Sequence, residues 1–177
     1  DAFEDLSEAQ AAFVDRYFED NVYPVLTPMA VDASRPFPLI RNKTLNIAAL
    51  LSRKKGKAEK EEIEFATVQV PSVLPRLVHI PSEDGNEKTF ILLEQVIERN
   101  IDKLFLNYDV LCAYPYRVMR NADLSIDEDE AADLLKEIQK QLKMRQWGEV
   151  IRLEAEDGID KKLLNFLKDE LKVAEQD

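Results

Sequence analysis

The side chains best equipped for chemistry in this 177-residue chain are arginines beside turns and strand ends. Foremost are the two in Arg117-Val118-Met119-Arg120-Asn121-Ala122-Asp123-Leu124. A guanidinium grips phosphate oxygens through two parallel N–H bonds, so Arg117, Arg120 and the neighbouring Asn121 are candidate phosphate or interdomain contacts. The two arginines are three apart, however, and on a regular strand they point to opposite faces. A bend near Asn121 would be needed to close them into one clamp. The plain structural alternative pairs one with a carboxylate such as Asp123 and leaves the other to solvent or a neighbouring domain.

Other routes to catalysis are thin. His79 is the single histidine and Cys112 the single cysteine, which rules out a His pair or a zinc cluster built from several His and Cys ligands, and Leu77-Val78-His79-Ile80 reads as a strand with the imidazole on a sheet surface. A phosphohistidine acceptor there would need a cationic surround and a nucleotide pocket that the sequence does not display. Glycines at 56, 85, 148 and 158 cannot form a phosphate-cradling loop. Acidic pairs such as Asp127 with Glu130 and Glu154 with Glu156 fall where helix caps or exposed strand faces explain them. No catalytic residue and no metal site is therefore assigned. Tyr114, Tyr116 and Trp147 do not alternate with a basic stripe, as a stacking platform for single-stranded nucleic acid requires. Phe37, held in Pro36-Phe37-Pro38, is the candidate interface anchor if it is exposed.

The composition sets bounds on these readings. With 45% hydrophobic and 33% charged residues, four Gly and eight Pro, the chain is suited to one folded domain over residues 1–177. Twenty-four Lys and Arg against 35 Asp and Glu give a net charge of −11, which repels nucleic acid and anionic membranes as a whole but leaves room for a local basic surface. Cys112 is the single cysteine and lies among apolar residues, as in a reducing cytosol. No run approaches the roughly 20 apolar residues of a transmembrane helix, and the opening Asp-Ala-Phe-Glu-Asp does not read as the basic region and apolar run of an export signal. The chain starts with Asp rather than Met, which suggests a processed chain or a piece excised from a longer protein, the second being the expectation favoured.

The elements that must position the arginines follow from pattern. Ser7 and Gln10 form a capping-box signature for a first helix of about 15 residues that Pro24 stops. Residues 24–42, with four prolines, read as an ordered, irregular connection. Residues 44–51 suit a strand buried on both faces, and the charged residues 53–62 an exposed loop. Phe65 to Val70 is a strand; Arg76 to Ile80 and a strand from Lys88 make a hairpin, followed by a helix carrying Leu93, Val96, Ile97 and Ile101. Residues 109–120 form the longest strand, with a bulge or edge position at Pro115. Ser125 or Asp127 caps a helix with Ala131, Leu134, Leu135, Ile138 and Leu142 inward, and Gly148 suits a left-handed terminator. A strand over Val150 to Ala155 and a helix with Leu163, Leu164, Leu167 and Leu171 close the chain. The expected fold is α+β, a mixed β-sheet flanked by amphipathic helices with the N-terminal helix first.

Taken together, several segments resemble the middle, or head, domain of bacterial, histidine-phosphorylated polyphosphate kinases. They are Tyr17-Phe18, Pro24 through Asp32, Pro36 to Asn42, Leu45-Asn46, Phe65-Ala66, Val70-Pro71, Leu74-Pro75-Arg76, Arg117 to Leu124, Asp127 to Ala131 and Val150 to Glu154, in family order over nearly the whole chain. Met119 stands where Thr is expected, which weakens any role for a hydroxyl there. The resemblance implies a cytoplasmic, magnesium-dependent enzyme that passes the terminal phosphate of ATP to polyphosphate through a phosphohistidine. In that family the catalytic histidines and nucleotide-binding residues lie largely in C-terminal domains, so ATP and magnesium belong to the full-length enzyme and the piece alone is expected to be inactive. The implied role is dimer assembly and positioning of the catalytic domains. Its partners would be a second subunit and the N- and C-terminal domains, with residues 1–23 a linking helix from the former. The alternative is a free-standing interaction module of the same fold without polyphosphate activity.

Overall fold

The computed structural model describes residues 5–32, 34–53, 62–82, 88–121, 135–136, 138–139 and 148–173. They divide into two compact units, one of residues 1–36 and 46–115, the other of 37–45 and 116–177. The fold is α+β as expected. Among the described residues no helix is long and apolar enough to cross a membrane.

The first unit opens with α1 (Glu8–Tyr17). Ser7 caps it: its side chain accepts from the Gln10 amide at 3.3 Å while the Gln10 side chain accepts from the Ser7 amide at 3.0 Å. The helix then widens into a π turn, Phe18–Val22, and tightens into a 3₁₀ turn, Tyr23–Val25. The switch comes just ahead of Pro24, whose ring and missing N–H do not fit a continuing α-helix. Val14, Phe18 and Val22 form one buried stripe.

The connection that follows is more regular than its prolines suggest. Met29–Val31 forms β1, paired antiparallel with β3 (Ile63–Gln69). Three residues between prolines are too short to show a period, and the pairing partner lies more than thirty positions away. β2 (Leu45–Arg53) pairs antiparallel with β3, and Ile47 to Leu51 are all buried, so this strand is covered on both faces. The strand order in this part is β1-β3-β2-β6, where β6 is Tyr108–Arg120. β4 (Leu77–Ile80) and β5 (Thr89–Leu92) form a separate antiparallel ribbon. Its inner residues Val78, Ile80 and Ile91 are buried with Leu93, Val96 and Ile97 of α2 (Leu93–Arg99), which continues into a 3₁₀ turn, Ile101–Leu104. The Leu92 amide is capped by the Gln95 side chain at 3.2 Å.

In the second unit the last part of β6 pairs antiparallel with β7 (Val150–Ala155), and α3 (Lys161–Leu171) packs on β7 with Leu163, Leu167 and Leu171 buried. Asp160 caps α3 by accepting from the amides of Lys162 at 2.9 Å and Leu163 at 3.1 Å. The β7 ladder begins at Tyr116, one residue past Pro115, so the proline keeps a position without that partner, while the bulge lies at Met119/Arg120 instead. Leu135 and Ile138 are helical, yet they are 71% and 41% exposed rather than inward. Ala131, Leu134 and Leu142, the two caps proposed for that helix, and residues 54–61 of the loop expected at 53–62 lie outside the described residues. Cys112 is half-buried.

Candidate functional site

The arginines of the Arg117–Leu124 motif separate cleanly. Strand alternation puts Tyr116, Val118 and Arg120 on the buried face of β6 and Arg117 with Met119 on the other. Arg120 is only 9% exposed. Its Nε donates to the Ile40 carbonyl at 2.8 Å and its Nη1 to the Gly148 carbonyl at 2.7 Å, while its amide donates to Asn42 Oδ1 at 2.9 Å. Burial pushes the guanidinium pKa below its ordinary value, but an arginine stays charged through that change. Arg120 thus ties the 37–45 segment to the entrance of β7. Asn121 continues this junction, its amide donating to the Glu149 carbonyl at 2.7 Å.

The same segment is shaped for the task. Lys43 adopts a left-handed backbone, φ 62°, and donates to the Val118 carbonyl at 2.8 Å, which aims Asn42 at β6. The sequence offered Asn42 as a motif residue without a role; the turn at Arg41-Asn42-Lys43 was the signal for it. Phe37 is half-buried, its ring edge-on to Phe166 of α3 at 5.9 Å, so it anchors this unit internally.

Arg117 is arranged differently. It is half-buried, its Cα partner on β7 is Glu154, and its Nε is buried with no hydrogen-bond partner. Arg152, opposite Met119, lies on the same face and meets Glu154 at 3.4 Å. The structure therefore does not bring Arg117 and Arg120 together.

In the first unit, charged side chains are matched to one another. Arg76 forks onto Glu94, Nη2 to Oε1 at 2.6 Å and Nε to Oε1 at 3.0 Å, with the Glu94 side chain 6% exposed and that of Arg76 57%. Arg99 forks onto Asp15, Nε to Oδ1 at 2.8 Å and Nη2 to Oδ2 at 3.3 Å. Arg99 holds the Asp15 carboxyl below its ordinary pKa. Glu64 accepts from Tyr108 Oη at 3.0 Å and pairs with Arg53 at 2.9 Å. His79 lies exposed on the outer face of the β4–β5 ribbon, its ring 5.3 Å from Phe90 across the ladder. Glu94 had no distinguishing mark in the sequence, because an acidic residue in a first helical turn is also what the helix dipole favours.

Comparison with known proteins matches residues 9–177 to the family described as polyphosphate kinase middle domain. The chain is 47% identical over 176 residues to a polyphosphate kinase of Halalkalibacterium halodurans, covering 99% of this chain and 24% of that protein. It is 52% identical over 157 residues to that of Lactiplantibacillus plantarum, covering 89% and 21%. The fold is like part of the crystal structure of polyphosphate kinase from Porphyromonas gingivalis, with a TM-score of 0.71, 22% identity, and 95% of this chain and 22% of that one covered. The chain thus spans about a quarter of the length of the relatives it matches. The match over residues 9–177 and the identities of 47% and 52% show that this chain belongs to the polyphosphate kinase middle-domain family.

Proposed function

We propose that this chain is the non-catalytic assembly domain of a polyphosphate kinase, holding subunits together and positioning catalytic domains encoded elsewhere in a longer, cytoplasmic polypeptide. The full-length enzyme would transfer the terminal phosphate of ATP to inorganic polyphosphate through a phosphohistidine, with magnesium as its cation. The observation that carries this reading is the use of its arginines. Arg76 and Arg99 in the first unit and Arg120 in the second are each engaged by carboxylates or carbonyls of their own unit, the use expected of arginines that hold a fold together rather than bind substrate. Family membership over a quarter of the relatives' length supports a part that works with neighbours.

Subunit contact is checked by light scattering. The reading expects the longer polypeptide to run as a dimer and the isolated chain to retain self-association, with a mass above the 20.4 kDa of one copy. A strictly monomeric longer polypeptide would contradict the assembly role.

A further inference from the structure

The β4–β5 ribbon is apolar on both of its faces. Its ladder pairs Leu77 with Leu92, Val78 with Ile91, His79 with Phe90 and Ile80 with Thr89. Val78, Ile80 and Ile91 point inward and are buried. Strand alternation puts Leu77, His79, Phe90 and Leu92 on the opposite face. There Leu77 is 60% and Phe90 41% exposed, His79 is exposed and Leu92 half-buried. A ribbon with water on one side alternates apolar with polar residues. Here every ladder residue except His79 and Thr89 is apolar, the pattern of strands covered on both sides. β2 has the same character and is covered, with Ile47 to Leu51 all buried. The outer face of the ribbon has no such cover among the described residues.

This face is also composed like the centre of a contact. It holds aliphatic and aromatic side chains, no Asp, Glu or Lys, and the half-exposed Arg76 next to its first residue, the mix that marks interface cores. Its size decides what sits on it. Four partly exposed side chains offer on the order of 300 Å², well short of the roughly 800 Å² per partner that a stable contact between separate molecules buries. A domain tethered by the chain needs less, because its linker holds it at roughly millimolar effective concentration.

We propose that the outer face of the β4–β5 ribbon is the seat of an apolar, weakly charged surface on another domain of the same polypeptide. This rests on the function proposed above for the existence of that longer polypeptide, as in the relatives of which this chain covers 24% and 21%.

The test is modification of His79 by diethylpyrocarbonate, mapped by mass spectrometry on the polypeptide as its gene encodes it. An intact mass no greater than the 20.4 kDa of this chain overturns the longer polypeptide and the proposal together, whereas failures at greater mass remove the proposal alone. His79 is expected to react about fivefold more slowly in the native polypeptide than in urea, and equally slowly after about hundredfold dilution. Leu77→Glu, which sets a charge on the face, should restore His79 to its rate in urea. Amide exchange at the inward Val78 and Ile91 should stay as in the parent, which separates undocking from unfolding. Where that exchange quickens, Leu77→Ser replaces Leu77→Glu, with partial release of His79 expected and unchanged protection contradicting the proposal. A native His79 that reacts at its rate in urea overturns the proposal, as does protection that persists in Leu77→Glu. Protection lost on dilution assigns the face to a second copy and overturns the tethered domain.

Discussion

Arg76 and Glu94 form a forked ion pair, 2.6 Å at its shorter contact, that joins the residue before β4 to the first turn of α2. The Arg76 carbonyl also accepts from the Leu93 amide at 2.7 Å, so backbone and side chain close the same junction. The carboxylate is the buried member and the guanidinium the exposed one. Removing each therefore has a different consequence.

Arg76→Ala strands the Glu94 carboxylate in the interior, whereas Glu94→Gln leaves an arginine that solvent can serve. The first is expected to lower unfolding free energy by about 2 kcal/mol and the second by about 1 kcal/mol. Urea denaturation of the two variants checks the order. Equal losses would mean that the pair is shared evenly with solvent.

Arg120 offers a second contrast. Arg120→Met fills the space but leaves the Ile40 and Gly148 carbonyls without their donor, and is expected to cost about 2–3 kcal/mol. Arg120→Lys keeps the charge without the fork that reaches two carbonyls at once, and should recover less than half of that loss. Denaturant midpoints measure both; full recovery by lysine would show that charge rather than geometry holds the junction.

Acid sensitivity follows from Asp15. Arg99 depresses its carboxyl pKa in the folded state, so the pair stabilises fully above the unfolded value of about 3.9 and its contribution fades as pH falls through the lower folded value. Asp15→Asn should leave the acid limb of the stability profile shallower below about pH 4, with the variant losing less than the parent on acidification. An unchanged acid limb would place the pH dependence in other carboxylates.

Much of the architecture was legible because it is local. The capping box at Ser7 and Gln10, the apolar run of β2, the alternation of Arg117 and Arg120, and the stripe of Leu163, Leu167 and Leu171 each depend on spacing alone. What was hidden depends on partners distant in sequence. β1 exists through its pairing with β3, Glu94 matters through an arginine eighteen residues earlier, and Asn42 through a strand end seventy-eight residues later. The outward Leu135 and Ile138 mislead for the same reason, since a stripe tells which residues share a face and not what covers it. For the site, alternation separated the two arginines, but only the ladder register could bring Arg152 beside Arg117.

The central claim is that the chemistry of phosphoryl transfer lies outside this domain, and mapping the phosphorylated residue tests it most directly. The polypeptide as its gene encodes it, and its His79→Asn variant, would be incubated with magnesium and ATP labelled at the terminal phosphate. Acid-labile label would then be located by peptide mapping. The account predicts label on a histidine outside these 177 residues, equal in parent and variant. Label on His79 that disappears in His79→Asn would contradict it and make this domain the phosphate acceptor.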